Sequence, residues 1–151
     1  MLFMQMIKGN LEIWQWLLLM TVLLPMAIKD LRYKKINGYI CIVMIMVSFL
    51  IRVRIKQDAD ITILLDLIPG VLMYVLSKLS PRSIGEGDAL VLIFIGSVVG
   101  FFKELEFLII SVFIAGLIAL FLYILKKVDK DTKLPFVPFL SVGVLAGGFL
   151  W

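Results

Sequence analysis

Six apolar runs occupy most of this chain, and the gaps between them reach only about ten residues. The runs fall at 11–28, 36–51, 61–79, 89–102, 105–125 and 134–151. A bilayer core of about 30 Å takes roughly 20 apolar residues as a helix. A helix also satisfies its own backbone N–H and C=O groups where no water can. The spacing therefore predicts an all-α fold, a polytopic membrane protein with about six transmembrane helices. No gap could hold a soluble domain, so 1–151 reads as one membrane-embedded domain. Composition agrees: 62% of the 151 residues are hydrophobic and 17% charged, against about half and a quarter in soluble domains.

What remains for chemistry is narrow. There is no histidine, and Cys41 is the single cysteine. Histidine-based metal ligation, Ser-His or Cys-His catalysis and an intrachain disulfide are thereby excluded. Carboxylates, hydroxyls and amines are left, and no metal or cofactor is expected. The net charge of +4 could signal a polyanion, but membrane proteins gather Lys and Arg in cytoplasmic loops, so no nucleic-acid partner is read from it. The first ten residues, MLFMQMIKGN, carry Lys8 after their apolar stretch and no small-residue cleavage site close behind. They read as a retained beginning rather than a cleaved signal.

Of the fifteen Lys and Arg, ten lie in the gaps after the first, third and fifth runs: Lys29, Arg32, Lys34, Lys35, Lys78, Arg82, Lys126, Lys127, Lys130 and Lys133. Lys8, Arg52, Arg54, Lys56 and Lys103 fall on the other side, where Asp58 and Asp60 count for little. This bias predicts a multi-pass protein of the cell membrane with the first set cytoplasmic and both termini outside.

Two acids adjoin apolar runs on that same side: Asp30 after the first, and Asp88 in Gly85-Glu86-Gly87-Asp88 before the fourth. Run 89–102 has 14 residues, ~21 Å as a helix, too short to cross unless it recruits 85–88. The fourth span is therefore taken as 85–102, which draws Asp88 to the membrane edge, where an ionisable group marks a functional candidate. Alone, Asp88 reads equally well as an N-cap, and Asp30 as a surface partner of Arg32 or Lys34. Asp30 would, however, sit at a helix C-terminus, where the macrodipole disfavours an anion. Brought together, beside glycines that permit close backbone approach, two carboxylates share a proton. Such a pair can hydrolyse a peptide without metal: one takes a proton from water while its protonated partner polarises the scissile carbonyl.

At these residues the sequence resembles the type IV prepilin peptidases and archaeal preflagellin peptidases, intramembrane aspartyl proteases with a GxGD signature. Three segments carry the resemblance in order: Asp30-Leu31-Arg32-Tyr33-Lys34-Lys35-Ile36-Asn37, then the GxGD of 85–88, then Leu134-Pro135-Phe136-Val137-Pro138-Phe139-Leu140 with Gly143. It implies catalytic Asp30 and Asp88, with Gly85 and Gly87 supporting the catalytic loop and Glu86 and Asn37 in contact with substrate or leader. It implies prepilin-like or pseudopilin precursors as substrates and cleavage at the cytoplasmic membrane edge. The chain departs from the family in having Ile36-Asn37-Gly38 where many members have Ile-Pro-Asn, and Leu90 where a Lys is frequent. It lacks the cysteine domain of the methylating members, so it looks like the short, peptidase-only form. Two other classes stay open: a non-catalytic subunit of a pilus or secretion assembly, and a small ion-coupled transporter. A homo-oligomer is also left open.

Other features have plainer readings. Asp66 lies within the third run and is left out of the site. Pro69-Gly70 reads as a kink, Trp14, Trp16 and Trp151 as an interfacial belt, and Gly143, Gly147 and Gly148 as a face for close helix packing. Glu86 has a second reading as a solvated loop residue.

Overall fold

In the computed structural model, which describes residues 2–33, 36–56, 62–79, 85–127 and 134–149, every regular element is a helix. These are α1 (Leu2–Tyr33), α2 (Gly38–Lys56), α3 (Thr62–Leu65), α4 (Ile68–Leu79), α5 (Glu86–Val99), α6 (Phe101–Ile124) and α7 (Val137–Phe149). The all-α expectation therefore holds. Of the six expected spans, two stretches are long and apolar enough to cross a membrane, Ile13–Tyr33 and Phe101–Ile124. The apolar stretches Gly38–Arg52, Ile68–Leu79 and Val137–Gly148 are shorter.

The arrangement centres on α5. An apolar helix with no polar stripe belongs in a protein core or in lipid, and α5 takes the first course, packing against α1, α2, α4 and α6. Its Ala89, Val91, Leu92, Phe94, Ile95, Gly96, Ser97 and Val98 are all buried. Leu19, Leu23, Met26 and Ala27 of α1 join the same core, as do Phe107 of α6 and Val137, Leu140 and Val144 of α7. By contrast α6 turns most of its surface outward, burying only Glu104, Phe107 and Ser111 along one stripe.

The small-residue face of α7 is used for close packing, as its sequence implied. A Cβ on Gly143 would run into Ser111 Oγ and stand 2.7 Å from the Phe107 carbonyl oxygen, and one on Gly147 would meet the Phe107 ring. Trp16 occupies the space beside Gly148 and makes an edge-to-face contact with Phe107, centroids 6.1 Å apart. Trp16 is thus a packing residue between α1, α6 and α7 rather than part of an interfacial belt, because the two glycines open a slot its ring fills. Trp14 remains exposed.

Three boundaries differ from those expected. The first helix begins at Leu2, so the initial residues continue α1. The third run breaks at Asp66-Leu67, three residues ahead of the proline. A proline ring excludes the carbonyl four residues before it; for Pro69 that residue is Leu65, where α3 ends. The fourth and fifth runs meet at Gly100, which closes α5 and opens α6 with φ 91°. Lys103 and Glu104 consequently lie in the first turn of α6, not in a loop. Lys34, Lys35, Asp58, Asp60, Ile61, Arg82, Lys130, Lys133 and Trp151 lie outside the described residues, as do the side chains of Lys8, Arg54 and Lys56.

Gly100 sits in a polar cluster at the α5–α6 junction. Arg52 of α2 pairs with Asp66 at 2.6 Å and donates towards the Gly96 and Ser97 carbonyl oxygens at 3.3 and 3.4 Å. Asp66 Oδ1 accepts the Phe101 N–H at 2.8 Å, satisfying an open amide of α6. Glu104 is 0% exposed and lies beside Gly96, its carboxylate without a hydrogen-bond partner among the described residues.

Two stability outcomes follow from this packing. Gly143→Ala should lower unfolding stability in detergent by about 1–3 kcal/mol, since a methyl there overfills the α6–α7 contact. Gly116→Ala, with open space around its Cβ position, should instead raise it by about 0.5–1 kcal/mol. Arg52→Leu leaves Asp66 without its cation beside a second carboxylate, and should cost about 3 kcal/mol in the same thermal or denaturant titration.

Candidate functional site

Asp30 lies in the last turn of α1 and is 5% exposed, so it is a buried acid rather than a surface one. The carbonyl end of a helix is a poor place for a carboxylate, and a second helix offsets it. In α7 the first intrahelical bond runs from the Leu140 N–H to the Phe136 carbonyl oxygen at 3.0 Å. Phe136 is thereby the N-cap and Val137 the first helical residue, whose N–H has no partner within its own helix. That N–H donates to Asp30 Oδ2 at 3.3 Å.

Asp88 belongs to the first turn of α5. Gly85, extended at φ −76° and ψ 133°, is the N-cap, and its carbonyl oxygen accepts from the Asp88 and Ala89 N–H groups at 3.1 and 3.3 Å. The Asp88 carboxylate takes the Gly85 N–H in return. Asp88 therefore caps from the third helical position, the reciprocal half of a capping box, whereas the sequence reading placed it at the N-cap itself. Gly85 makes room for this: a Cβ there would stand 2.8 Å from Asp88 Oδ2.

The glycines of the signature also set where the α1–α2 connection lies. A Cβ on Gly87 would stand 2.7 Å from Ile36 Cβ, and one on Gly38 would touch Leu90 at 3.5 Å. Residues 36–38 are thus laid on the first turn of α5, and Asp30 and Asp88 come close enough for their charges to interact. Gly85 and Gly87 gather with them. Asn37 and Glu86 stand exposed at the rim. Asn37 starts α2 through its carbonyl oxygen, which accepts from Ile40 and Cys41. Glu86 pairs with Lys78 at 2.8 Å, so it is a helical residue with a salt bridge and not a loop acid. Asp66 takes no part, lying in the cluster near the far end of α5.

Two groups escaped the sequence reading. The Val137 amide has no side-chain signature, and the proline-rich segment around it marked only a resemblance. Glu104 falls in the two-residue gap between the fourth and fifth runs and was not singled out, whereas the α5–α6 junction is compressed into Gly100. Among the described residues no group of three His, Cys, Asp or Glu could hold a metal ion. Two interacting carboxylates beside a solvated rim can exchange a proton with water and with a polar substrate.

A family model for type IV leader peptidases matches residues 17–120. The match contains both aspartates and the GxGD segment and ends before α7. No curated protein and no solved structure matches the chain. The family, together with two helices long enough to cross a bilayer, points to a membrane protein. With more than two thirds of its residues inside the match, the chain belongs to the type IV leader peptidase family.

Proposed function

We propose that this chain is an intramembrane aspartyl endopeptidase that removes the short leader of prepilin-like or pseudopilin precursors, with Asp30 and Asp88 as its catalytic pair. Membership of the family implies a peptidase. The observation that carries the aspartic mechanism is the approach of Asp30 to Asp88 where α1 ends and α5 begins. One carboxylate accepts a proton from water as the oxygen attacks the scissile carbonyl. The protonated partner donates to that carbonyl oxygen, and collapse of the tetrahedral intermediate delivers a proton to the leaving amine.

In this reading all six apolar runs lie in the membrane, and the helix ends bearing Asp30 and Asp88 face the cytoplasm. Lys29, Arg32, Lys78, Lys126 and Lys127 stand at that side, against Arg52 and Lys103 at the other, the bias expected of a cytoplasmic face. A precursor with a basic leader ahead of an apolar helix would present its scissile bond at this depth. Exposed Glu86 and Asn37 are assigned to the leader, the former by charge.

Co-expression with a prepilin-like precursor tests the pair. Asp30→Asn and Asp88→Asn should each slow leader removal by about 10²–10⁴-fold while the protein still accumulates in the membrane; wild-type cleavage by either variant would refute the dyad. Orientation is tested separately with Cys41 replaced by Ala. Glu86→Cys should then react with a membrane-impermeant thiol reagent applied from the cytoplasmic side, and labelling only from outside would invert the topology.

A further inference from the structure

We infer that the backbone N–H of Val137 is a positioning group for Asp30, so that the start of α7, beyond the residues that the family model matches, is a working part of the site. This rests on the peptidase reading above. The contact joins residues 107 apart in sequence and is the one polar bond described between α7 and the aspartate pair. It answers a local problem. Asp30 is held near the carbonyl end of α1, where the macrodipole disfavours an anion, and it is buried from water. A donor from the open first turn of another helix offsets that placement.

The donor is also hard to replace. The next residue, Pro138, has no N–H, so a one-residue slip of α7 would leave Asp30 facing a proline ring. Pro135 lies two residues ahead, which leaves only the Phe136 and Val137 amides between the prolines. Slip is resisted by packing: Val137, Leu140 and Val144 are 0% exposed in the common core, and Gly143 and Gly147 seat α7 against Phe107 and Ser111 of α6. The amide is therefore carried on a rigid element, and it fixes the rotation of a carboxylate that must be oriented towards water, substrate and Asp88 at once. Misalignment of a reacting group weakens catalysis without weakening substrate binding.

The test removes the N–H, keeps the side chain, and otherwise only weakens the Phe136 carbonyl as an acceptor. Valine 137 is replaced by its α-hydroxy analogue through nonsense suppression, which turns the 136–137 peptide into an ester and keeps the isopropyl side chain. The same replacement at Val142, an exposed position inside α7, controls for loss of one helical hydrogen bond. With purified protein and a prepilin-like substrate, the ester at 137 should lower kcat by about tenfold, the worth of a hydrogen bond to a charged group, with KM unchanged. The ester at 142 should leave both constants unchanged. Should the 137 ester fail to accumulate, Val137→Pro deletes the same N–H and should show the same split. Unchanged kcat at 137, a change confined to KM, or equal losses at 137 and 142 would each overturn the inference. Asp30→Asn run alongside separates this from the larger reading: if it abolishes cleavage while the ester leaves kcat unchanged, only the positioning role falls; if it cleaves like wild type, the catalytic assignment falls with it.

Discussion

The burial of α5 on all sides is the constraint that organises this molecule. Fourteen residues make a helix of ~21 Å, which cannot cross ~30 Å of hydrocarbon by itself. Such a helix is tolerable in a membrane protein only if its open backbone ends are met by protein rather than lipid. One end is met by Gly85 and Asp88, which cap each other, and by Gly87, which lies against Ile36. At the other, Gly100 passes the chain directly into α6, and Asp66 receives the first amide of the new helix. The two clusters of buried acids are therefore consequences of one fact, that a short apolar helix stands at the centre.

Close approach is what makes this centre possible. Between helices in lipid the hydrophobic effect contributes little, and packing depends on small residues that let backbones touch. Gly70 rests on the backbone of Ile93, Gly96 beside Asp66 and Glu104, and Gly143 on Phe107 and Ser111. Two ladders of glycine contacts thus bind α4 to α5 and α7 to α6. The signature glycines belong to the same system with a different purpose: Gly85 yields space to a carboxylate and Gly87 to the connection that follows Asp30. Packing and site geometry share one device, so a substitution that loosens the helices near Gly87 also moves the aspartates.

Much of this was legible in the sequence, for reasons that can be named. Apolar run length gave helices and their order, because lipid leaves the backbone no alternative. That Asp30 and Asp88 come near one another at the same helix ends followed from counting those runs. The errors occurred where a local feature acted at a distance. Pro69 ended a helix four residues upstream, at Leu65, so the break appeared at Asp66. Trp16 looked like an interfacial residue because its slot is made by glycines more than a hundred positions later. Glu104 drew no notice because it fell in a gap between two runs, where Gly100 alone makes the junction. The Val137 amide could not be read at all, since every residue but proline carries one and only the fold decides which is used.

The two aspartates are held in unlike ways, and the difference bears on how the pair works. Asp88 is anchored locally, by the cap of its own helix, and would keep that anchor wherever α5 began with the same four residues. Asp30 takes a donor from a distant helix, the Val137 N–H of α7. Before α7 docks, Asp30 is a carboxylate at the end of a helix where the macrodipole disfavours it, without the Val137 donor. The short central helix thus holds one member of the pair, and the final helix contributes a donor to the other.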